Sequence, residues 1–221
     1  MNYSTHEICT NLLAWDGCKI EGLRHDWENV VNSLDVNMKD DYGYTLLNGT
    51  IIYHRAEYPQ LIKKLLEMGT DVNIADNLGR TPMMNLSFTK YKNNLIPIFL
   101  DYGASKDIVD YRNMTVFSYA CTDSYNIELI KLLYSPQIDI NMPDVEGNTP
   151  LHHKIKSALI LPHNDDIDIV EFLLNCGANP NSENCRGETP YSLACRYHFP
   201  SIKNMLELAN LSNNFSDTLN I

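Results

Sequence analysis

Basic residues are scarce in this sequence. It has 17 Lys and Arg against 28 Asp and Glu, which gives a formal net charge of −11. Nucleic acids and anionic membrane surfaces are bound through clusters of Lys and Arg. The deficit therefore argues against either as the main partner, and it is compatible with a protein partner that carries a basic patch.

Long apolar runs and a secretory leader are also missing. No stretch approaches the ~20 consecutive apolar residues that a membrane-spanning helix needs, and the N-terminus lacks a basic segment followed by an apolar core. The six cysteines follow the internal spacing of the chain and do not form a disulfide pattern typical of small secreted domains. We therefore expect reduced thiols and an intracellular, cytoplasmic protein with no membrane partner.

Signatures of catalysis are absent from the sequence. There is no glycine-rich phosphate loop, no G-x-S-x-G elbow, no H-E-x-x-H and no paired C-x-x-C. The weak constellations that remain are a histidine pair, a cysteine–histidine pair and an aspartate cluster: His152 with His153, Cys195 with His198, and Asp165 with Asp166 and Asp168.

Structural or solvent-exposed roles are favoured for these constellations. The cysteine–histidine pair lacks a third residue to orient it. The aspartate cluster lacks the glycine and the late glutamate of a calcium loop. We predict no catalytic residue, no metal and no cofactor, so the chain is predicted not to be an enzyme.

One phrase is written five times in the chain. Its clearest copy is the segment 144–152, DVEGNTPLH, and each copy contains a threonine that follows a turn. These threonines stand 36, 34, 34 and 40 residues apart. A period in the low thirties is typical of stacked structural repeats. The five are Thr45, Thr81, Thr115, Thr149 and Thr189.

A second phrase recurs between the copies of the first. It is clearest at 173–181, LLNCGANPN, and at 65–73, LLEMGTDVN. With both phrases present, the chain resembles the ankyrin-repeat family over roughly residues 23 to 210. The resemblance implies an all-α ankyrin-repeat solenoid in which each repeat is a short β-turn or hairpin finger followed by two antiparallel helices. It implies five full repeats in one continuous stack, with a divergent N-terminal cap.

The spacing predicts where the parts begin and end. We predict capping helices at 5–15 and 23–34 within residues 1–37, and a polar, frayed tail at 211–221. The predicted repeats are 40–75, 76–109, 110–143, 144–183 and 184–210. Predicted first helices are 45–54, 81–90, 115–122, 149–158 and 189–198, and predicted second helices are 61–68, 95–102, 127–135, 167–176 and 201–209.

Local chemistry supports these boundaries. Gly79 permits a turn that a larger residue would resist, Thr81 can cap a helix, and Pro82 suits the first helical turn. Asn113 stands where the other fingers have glycine, and Asn tolerates a left-handed backbone better than most residues.

The resemblance also assigns roles to single residues. It implies that His152 hydrogen-bonds between neighbouring repeats, and that Asn73, Asn141 and Asn181 stabilise the turn after each second helix. Such asparagines can be hydroxylated in animal cells, and the sequence does not show whether that happens here.

The resemblance implies a partner-binding surface on a concave face, made of finger tips and the exposed side of the first helices. Tyr, Arg and large apolar residues, which dominate binding hot spots, are common at these positions. The partner-binding residues carried over are Tyr42, Tyr44, Tyr53, Leu78, Arg80, Phe88, Tyr111, Arg112, Met114, Glu146, Arg186, Arg196 and Tyr197. The same positions include Asp41, Asn77, Asp123, Val145, Asn148, Lys156 and Glu188.

The expected function is protein–protein interaction without catalysis, by a chain that is a monomer on its own. The alternative is an IκB-like decoy or inhibitor that masks a basic surface of a signalling or transcription factor, which the acidic charge would suit. The richness in Asn, Ile and Tyr resembles that of ankyrin proteins from poxviruses and bacterial effector sets. A host-modulating role in the host cytosol or nucleus is the corresponding expectation.

Overall fold

The computed structural model describes residues 35–54, 59–89, 91–123, 126–160, 166–197 and 199–218. The predicted capping helices lie outside these residues. The chain divides into two compact units, Met1–Tyr111 and Arg112–Ile221, called here the first and the second unit. The continuity of one stack through all five repeats stays a prediction.

Every predicted repeat contains a pair of helices, and the described residues contain no β-strand. The first unit holds α1 (Leu46–His54), α2 (Pro59–Glu67), α3 (Pro82–Leu86) and α4 (Lys92–Asp101). The second unit holds α5 (Val116–Asp123), α6 (Ile127–Leu133), α7 (Pro150–Ile160), α8 (Asp166–Asn175), α9 (Pro190–Arg196) and α10 (Pro200–Thr218).

Two helices end more than two residues from their predicted positions. Helix α3 stops at Leu86, where the backbone tightens into turns. The N–H groups of Ser87 and Thr89 donate to carbonyls three residues back, at 3.1 and 2.9 Å. Helix α10 continues past residue 209 to Thr218, across most of the predicted tail. The sequence after its first residue has no Gly or Pro to stop it.

The recurrence of threonine at the start of each repeat's first helix has a direct structural cause. Four of the five accept a hydrogen bond from the N–H three residues ahead, which caps the first turn of a helix. Thr81 and Thr189 are each followed by proline at the first helical position, as predicted for Thr81. The bonds reach Thr45 from Asn48 at 3.3 Å, Thr81 from Met84 at 3.4 Å, Thr115 from Ser118 at 3.2 Å, and Thr189 from Ser192 at 2.9 Å.

In four of the fingers, the side chain of the residue before the tip accepts hydrogen bonds from N–H groups of the same finger. In the second finger one carboxylate oxygen of Asp76 accepts from the N–H groups of Leu78 at 2.8 Å and Arg80 at 3.0 Å. The Asp76 N–H donates to the Arg80 carbonyl at 2.9 Å. The same closure occurs at Asp40, Asp144 and Asn184. Asn113 has φ of 61°, which confirms the left-handed conformation predicted for it.

Neighbouring fingers are joined by backbone hydrogen bonds, which we call the finger ladder. The N–H of the first residue at one tip donates to the carbonyl of the second residue at the preceding tip. In the first unit the ladder runs from Asn77 to Tyr42 at 3.1 Å and from Tyr111 to Leu78 at 3.1 Å. In the second unit it runs from Val145 to Arg112 at 3.0 Å and from Cys185 to Glu146 at 2.8 Å.

The helices of each unit pack through apolar side chains. In the first unit α1 contacts α2 and α3, and α3 contacts α4. In the second unit α7 contacts α5, α8 and α9, while α10 packs on α8 and α9. Full burial of one such aliphatic side chain contributes about 1.5–3 kcal/mol. Among the fully buried residues are Leu47, Ile62, Met83 and Phe99 in the first unit, and Phe117, Ile130, Leu151 and Leu173 in the second.

A buried ion pair lies inside the second unit. Lys154 on α7 is 0% exposed, and its ammonium group lies 2.6 Å from a carboxylate oxygen of Asp166 at the start of α8. Removing one partner of such a pair leaves an uncompensated buried charge. The pair therefore fixes how these two helices meet. No motif or spacing in the chain predicts this pair.

His152 joins the fourth repeat to the fifth, as the resemblance implies. The Thr149 N–H donates to its Nδ1 at 3.1 Å, so the proton of the neutral ring lies on Nε2 and donates to the Glu188 carbonyl at 3.0 Å. Burial lowers the pKa of His152 and also that of His153, whose Nε2 lies 3.1 Å from an Asp144 carboxylate oxygen. Both nitrogens of His152 are thus occupied by structural contacts.

The side chains of the turn asparagines bond to the next repeat, which differs from the expectation that they stabilise their own turn. Their own turns are bridged by the side chain two residues earlier, as in the bond from the Asn73 N–H to the Asp71 carboxylate at 2.8 Å. The Asn73 side chain donates to the Gly103 carbonyl at 3.0 Å and accepts from the Ser105 N–H at 2.8 Å. Asn141 makes the same two bonds with Gly177 at 3.0 Å and Asn179 at 2.7 Å. The Asn181 side chain donates to that of Asn210 at 2.8 Å.

Two finger glycines differ only in what lies beside them, and this yields a stability prediction. Gly147 and Gly187 have φ of 78° and 69°. A Cβ at Gly147 would lie 2.9 Å from the backbone of Asn184 and of Cys185, whereas a Cβ at Gly187 would meet nothing within 4 Å. We expect Gly187→Ala to lower the free energy of unfolding by about 1 kcal/mol, because of backbone strain. Gly147→Ala should cost about 1–3 kcal/mol more, because the next finger must move. Equal losses in urea unfolding would contradict this account of finger packing.

The two histidines predict how stability depends on pH. Because burial lowers their pKa below the ordinary value of 6.5, the folded chain binds fewer protons than the unfolded chain between the folded pKa and 6.5. Stability should be full above that window and fall as the pH decreases through it. Glutamine does not bind a proton in this pH range. The free energy of unfolding of the His152→Gln variant should therefore fall less between about pH 7 and about pH 5 than that of the unchanged chain. Urea midpoints measured across this range test the idea, and identical slopes for the two proteins would refute it.

Candidate protein-binding surface

Each finger presents two residues to solvent at its tip. All ten are exposed, because the ladder bonds use their backbone groups and leave their side chains pointing away from the core. The first residues of the tips are Asp41, Asn77, Tyr111, Val145 and Cys185, and the second residues are Tyr42, Leu78, Arg112, Glu146 and Arg186.

The residue just before each capping threonine behaves differently from the tip residues. Met114 is 2% exposed and Asn148 is 3% exposed, so neither side chain is accessible to a partner. In the fourth finger the N–H of Asn148 is drawn to the Asp144 carboxylate, which turns this position inward. The inclusion of Met114 and Asn148 in the predicted surface is therefore wrong.

Arg80 occupies the same inward position and is held by its own finger. Its guanidinium contacts the buried Asp76 carboxylate through Nε at 3.0 Å and a terminal nitrogen at 2.9 Å. Both nitrogens contact the same oxygen of Asp76, and hydrogen bonds between charged groups are stronger than those between neutral ones. The guanidinium of Arg80 is therefore already used to stabilise the second finger.

The first unit carries the large apolar part of the predicted surface. The exposed fractions are 67% for Tyr42, 55% for Leu78, 50% for Phe88 and 76% for Tyr111. Tyr42, Leu78 and Tyr111 stand on successive fingers that the ladder joins, and Phe88 lies in the turn after α3. Exposed large apolar side chains that lie close together on a surface are typical of binding sites, and here three of them stand at finger tips.

Three tyrosines predicted for the surface lie together in the first unit. The rings of Tyr42 and Tyr44 are stacked with centroids 6.0 Å apart and planes inclined by 27°. Tyr53 on α1 meets Tyr44 edge to face, also at 6.0 Å and at 85°. Aromatic pairs favour these two arrangements. The half-buried Tyr44 and Tyr53 thus support the more exposed Tyr42.

The second unit carries a charged network in place of aromatic tips. A carboxylate oxygen of Glu188 lies 2.5 Å from the Arg196 guanidinium, and another lies 4.0 Å from the Lys156 ammonium. The hydrogen bond from Arg196, followed by that from Asn184, lowers the pKa of Glu188. The guanidinium of Arg196 also lies 5.9 Å from the ring centroid of Tyr197. Several predicted site residues of this unit therefore already contact one another.

The other constellations singled out in the sequence do not assemble into reactive sites among the described residues. Asp166 is paired with Lys154, and no group of three His, Cys, Asp or Glu that could hold a metal ion occurs in the described part of the chain. Burial raises the pKa of the Cys121 thiol to about 12, so this cysteine stays protonated. Asp165 and His198 lie outside the described residues, as does the side chain of Asp123.

Two further observations concern membrane-spanning helices and the cysteine thiols. The described helices include none that combines the length and apolar character needed to cross a membrane. The cysteines at positions 121, 176, 185 and 195 are free thiols.

Comparison with protein families and solved structures bears on both fold and function. A model for ankyrin repeats in three copies matches residues 51–144, and a model for a single ankyrin repeat matches residues 146–185. The fold is similar to the crystal structure of an ankyrin repeat domain from Acinetobacter baumannii, with a TM-score of 0.72 and 22% identity. That match covers 93% of this chain and 97% of the bacterial chain, which confirms the predicted fold.

Relatives of known name match only in part. The chain is 26% identical over 158 residues to an intracellular phospholipase A2 of Caenorhabditis elegans, covering 72% of this chain and 11% of that protein. It is 32% identical over 123 residues to the ankyrin repeat protein OPG189 of variola virus, covering 53% of this chain and 22% of the viral protein. The chain therefore spans about a tenth to a fifth of the length of these relatives.

Ankyrin repeats are generally protein–protein interaction modules, typically without catalytic activity. Since the family models cover more than half of its residues, the chain belongs to the ankyrin-repeat family.

Proposed function

We propose that this chain binds a protein partner through its finger tips, and that the first unit supplies the main binding energy. The observation that carries this proposal is the row of large exposed side chains, Tyr42, Leu78 and Tyr111, on successive fingers joined by the ladder. Aromatic and large apolar side chains at the centre of an interface dominate binding hot spots. Because the fingers are fixed before binding, little conformational entropy is lost on association.

The second unit offers polar side chains of its own for contact with a partner. Arg112, Glu146 and Arg186 are exposed at its tips, and Arg196 and Tyr197 are exposed beside them. Exposed charges of this kind contribute more to specificity and association rate than to affinity. We propose no cofactor, no metal and no catalytic activity for the chain.

A competitive decoy is the alternative function. The net charge of −11 would attract a basic segment of a signalling or transcription factor and hide it from other partners. The similarity to an ankyrin repeat protein of variola virus supports a host-directed role in the host cytosol or nucleus. Both ideas use the same finger surface as the main proposal.

Two tyrosines of the first unit provide a matched test. Tyr111 lies at a finger tip and is 76% exposed, whereas Tyr102 lies at the end of α4, away from the tips, and is 42% exposed. We expect Tyr111→Ala to weaken the complex with a captured partner at least about tenfold, which is about 1.4 kcal/mol. Tyr102→Ala should leave the affinity unchanged. Quantitative pull-down from cell lysate, followed by titration of the identified partner, measures both effects.

Thermal unfolding of both variants serves as the control for folding. Neither alanine removes a backbone hydrogen bond or a buried side chain, so the midpoints should stay close to that of the unchanged chain. If Tyr111→Ala binds the partner as well as the unchanged chain does, the finger tips of the first unit are not the docking surface.

A further inference from the structure

We infer that the first finger, at Asp41 and Tyr42, docks a cationic side chain from an extended, arginine- or lysine-rich segment of the protein partner. The inference rests on the proposed function and specifies the chemistry of the partner at one place on that surface. The contact would be a cation over the Tyr42 ring with a carboxylate at its edge.

The aromatic half of this site is already assembled. Tyr42 is 67% exposed, so most of its ring is accessible, while Tyr44 is stacked beside it and Tyr53 supports Tyr44 from α1. A tyrosine ring attracts a guanidinium or ammonium group placed over its face. Because its neighbours restrain the Tyr42 ring, the site resists rotation when a ligand arrives.

The backbone around the site is held by the next finger. The Asn77 side chain donates to the Asp41 carbonyl at 2.8 Å, and the Asn77 N–H donates to the Tyr42 carbonyl at 3.1 Å. The Tyr42 N–H donates to the Asp40 carboxylate at 3.0 Å. The site is therefore positioned before binding, which lowers the entropic cost of association.

The charge of the first unit's fingers favours a cation. Segments 39–45, 76–81 and 110–111 contain four aspartates against one lysine and one arginine. The arginine, Arg80, is paired with the buried Asp76. Asp41 is exposed and adjacent to Tyr42. With a net charge of −11, the whole chain attracts a basic segment and repels an acidic one, so selection of this site depends on its own residues.

The second unit contains a contact between a cation and a tyrosine ring within the chain. Its finger tips do not combine an aspartate with a tyrosine as Asp41 and Tyr42 do. Arg196 places its guanidinium 5.9 Å from the Tyr197 ring centroid, so this tyrosine already has a cation. Its finger tips carry Arg112 and Arg186 and no aromatic residue. A cationic ligand should therefore select the first unit.

Binding of a defined peptide tests the inference. The probe is a short fluorescent peptide of alternating arginine and serine, titrated into the full chain and followed by anisotropy. Tyr42→Ala should weaken binding about fivefold because the ring is lost, and Tyr42→Phe should keep it within about twofold because the ring remains. Asp41→Asn should weaken binding about two- to fivefold at about 0.05 M salt and have little effect at about 0.5 M salt.

The chain supplies a matched control pair of the same two residue types. Asp101 and Tyr102 are adjacent and exposed in the same unit, at the end of α4. Asp101→Asn and Tyr102→Ala should leave peptide binding unchanged, and a peptide of alternating glutamate and serine should not bind. The inference is overturned if the arginine peptide does not bind, if the control pair weakens it as much as the site pair, or if the glutamate peptide binds equally.

The same experiment separates this inference from the proposed function. If the arginine peptide fails while partner capture still depends on Tyr111, only the cationic chemistry is wrong. If the peptide binds through Tyr42 while capture is independent of the finger tips, the site is real and the proposed docking surface is wrong. Thermal midpoints of all variants should match, since none of the changed side chains is buried.

Discussion

The hydrogen bonds of the finger ladder are the contact on which the rest of the arrangement depends. In four of the five tips one N–H donates to the preceding tip, at distances of 2.8 to 3.1 Å. Each such bond contributes only about 1 kcal/mol to folding. Their larger effect is geometric, because they use the backbone of the tip and leave two side chains per finger facing solvent. A binding surface made this way needs little rearrangement to receive a partner.

The two units expose different types of residue at their finger tips. The first displays tyrosine and leucine above a set of aspartates, while the second displays arginine and glutamate beside an ionic network around Glu188. This difference follows from single residues at equivalent positions of one repeated frame. Recognition can therefore vary from finger to finger without any change of fold.

Features governed by short-range chemistry were predictable from the sequence. Threonine caps depend on a hydrogen bond over a fixed spacing that recurs along the chain, and the left-handed Asn113 follows from the backbone preference of asparagine. The bonding of His152 between repeats was implied by the resemblance to the ankyrin-repeat family. Features set by three-dimensional context were not. The inward turn at Met114, the pairing of Arg80 with Asp76 and the buried Lys154–Asp166 pair depend on neighbours that no spacing reveals. Helix α3 ends early in a series of tight backbone turns, an outcome that apolar periodicity alone cannot indicate.

Native-state hydrogen exchange of the four ladder amides tests the central claim most directly. The N–H groups of Asn77, Tyr111, Val145 and Cys185 lie at exposed tips, yet each is bonded to the neighbouring finger. If the ladder holds the fingers in place, these amides exchange as slowly as those in the middle of the first helices. Exchange at the rate of unstructured backbone would mean that the fingers open freely, and the account of a preformed binding surface would fail.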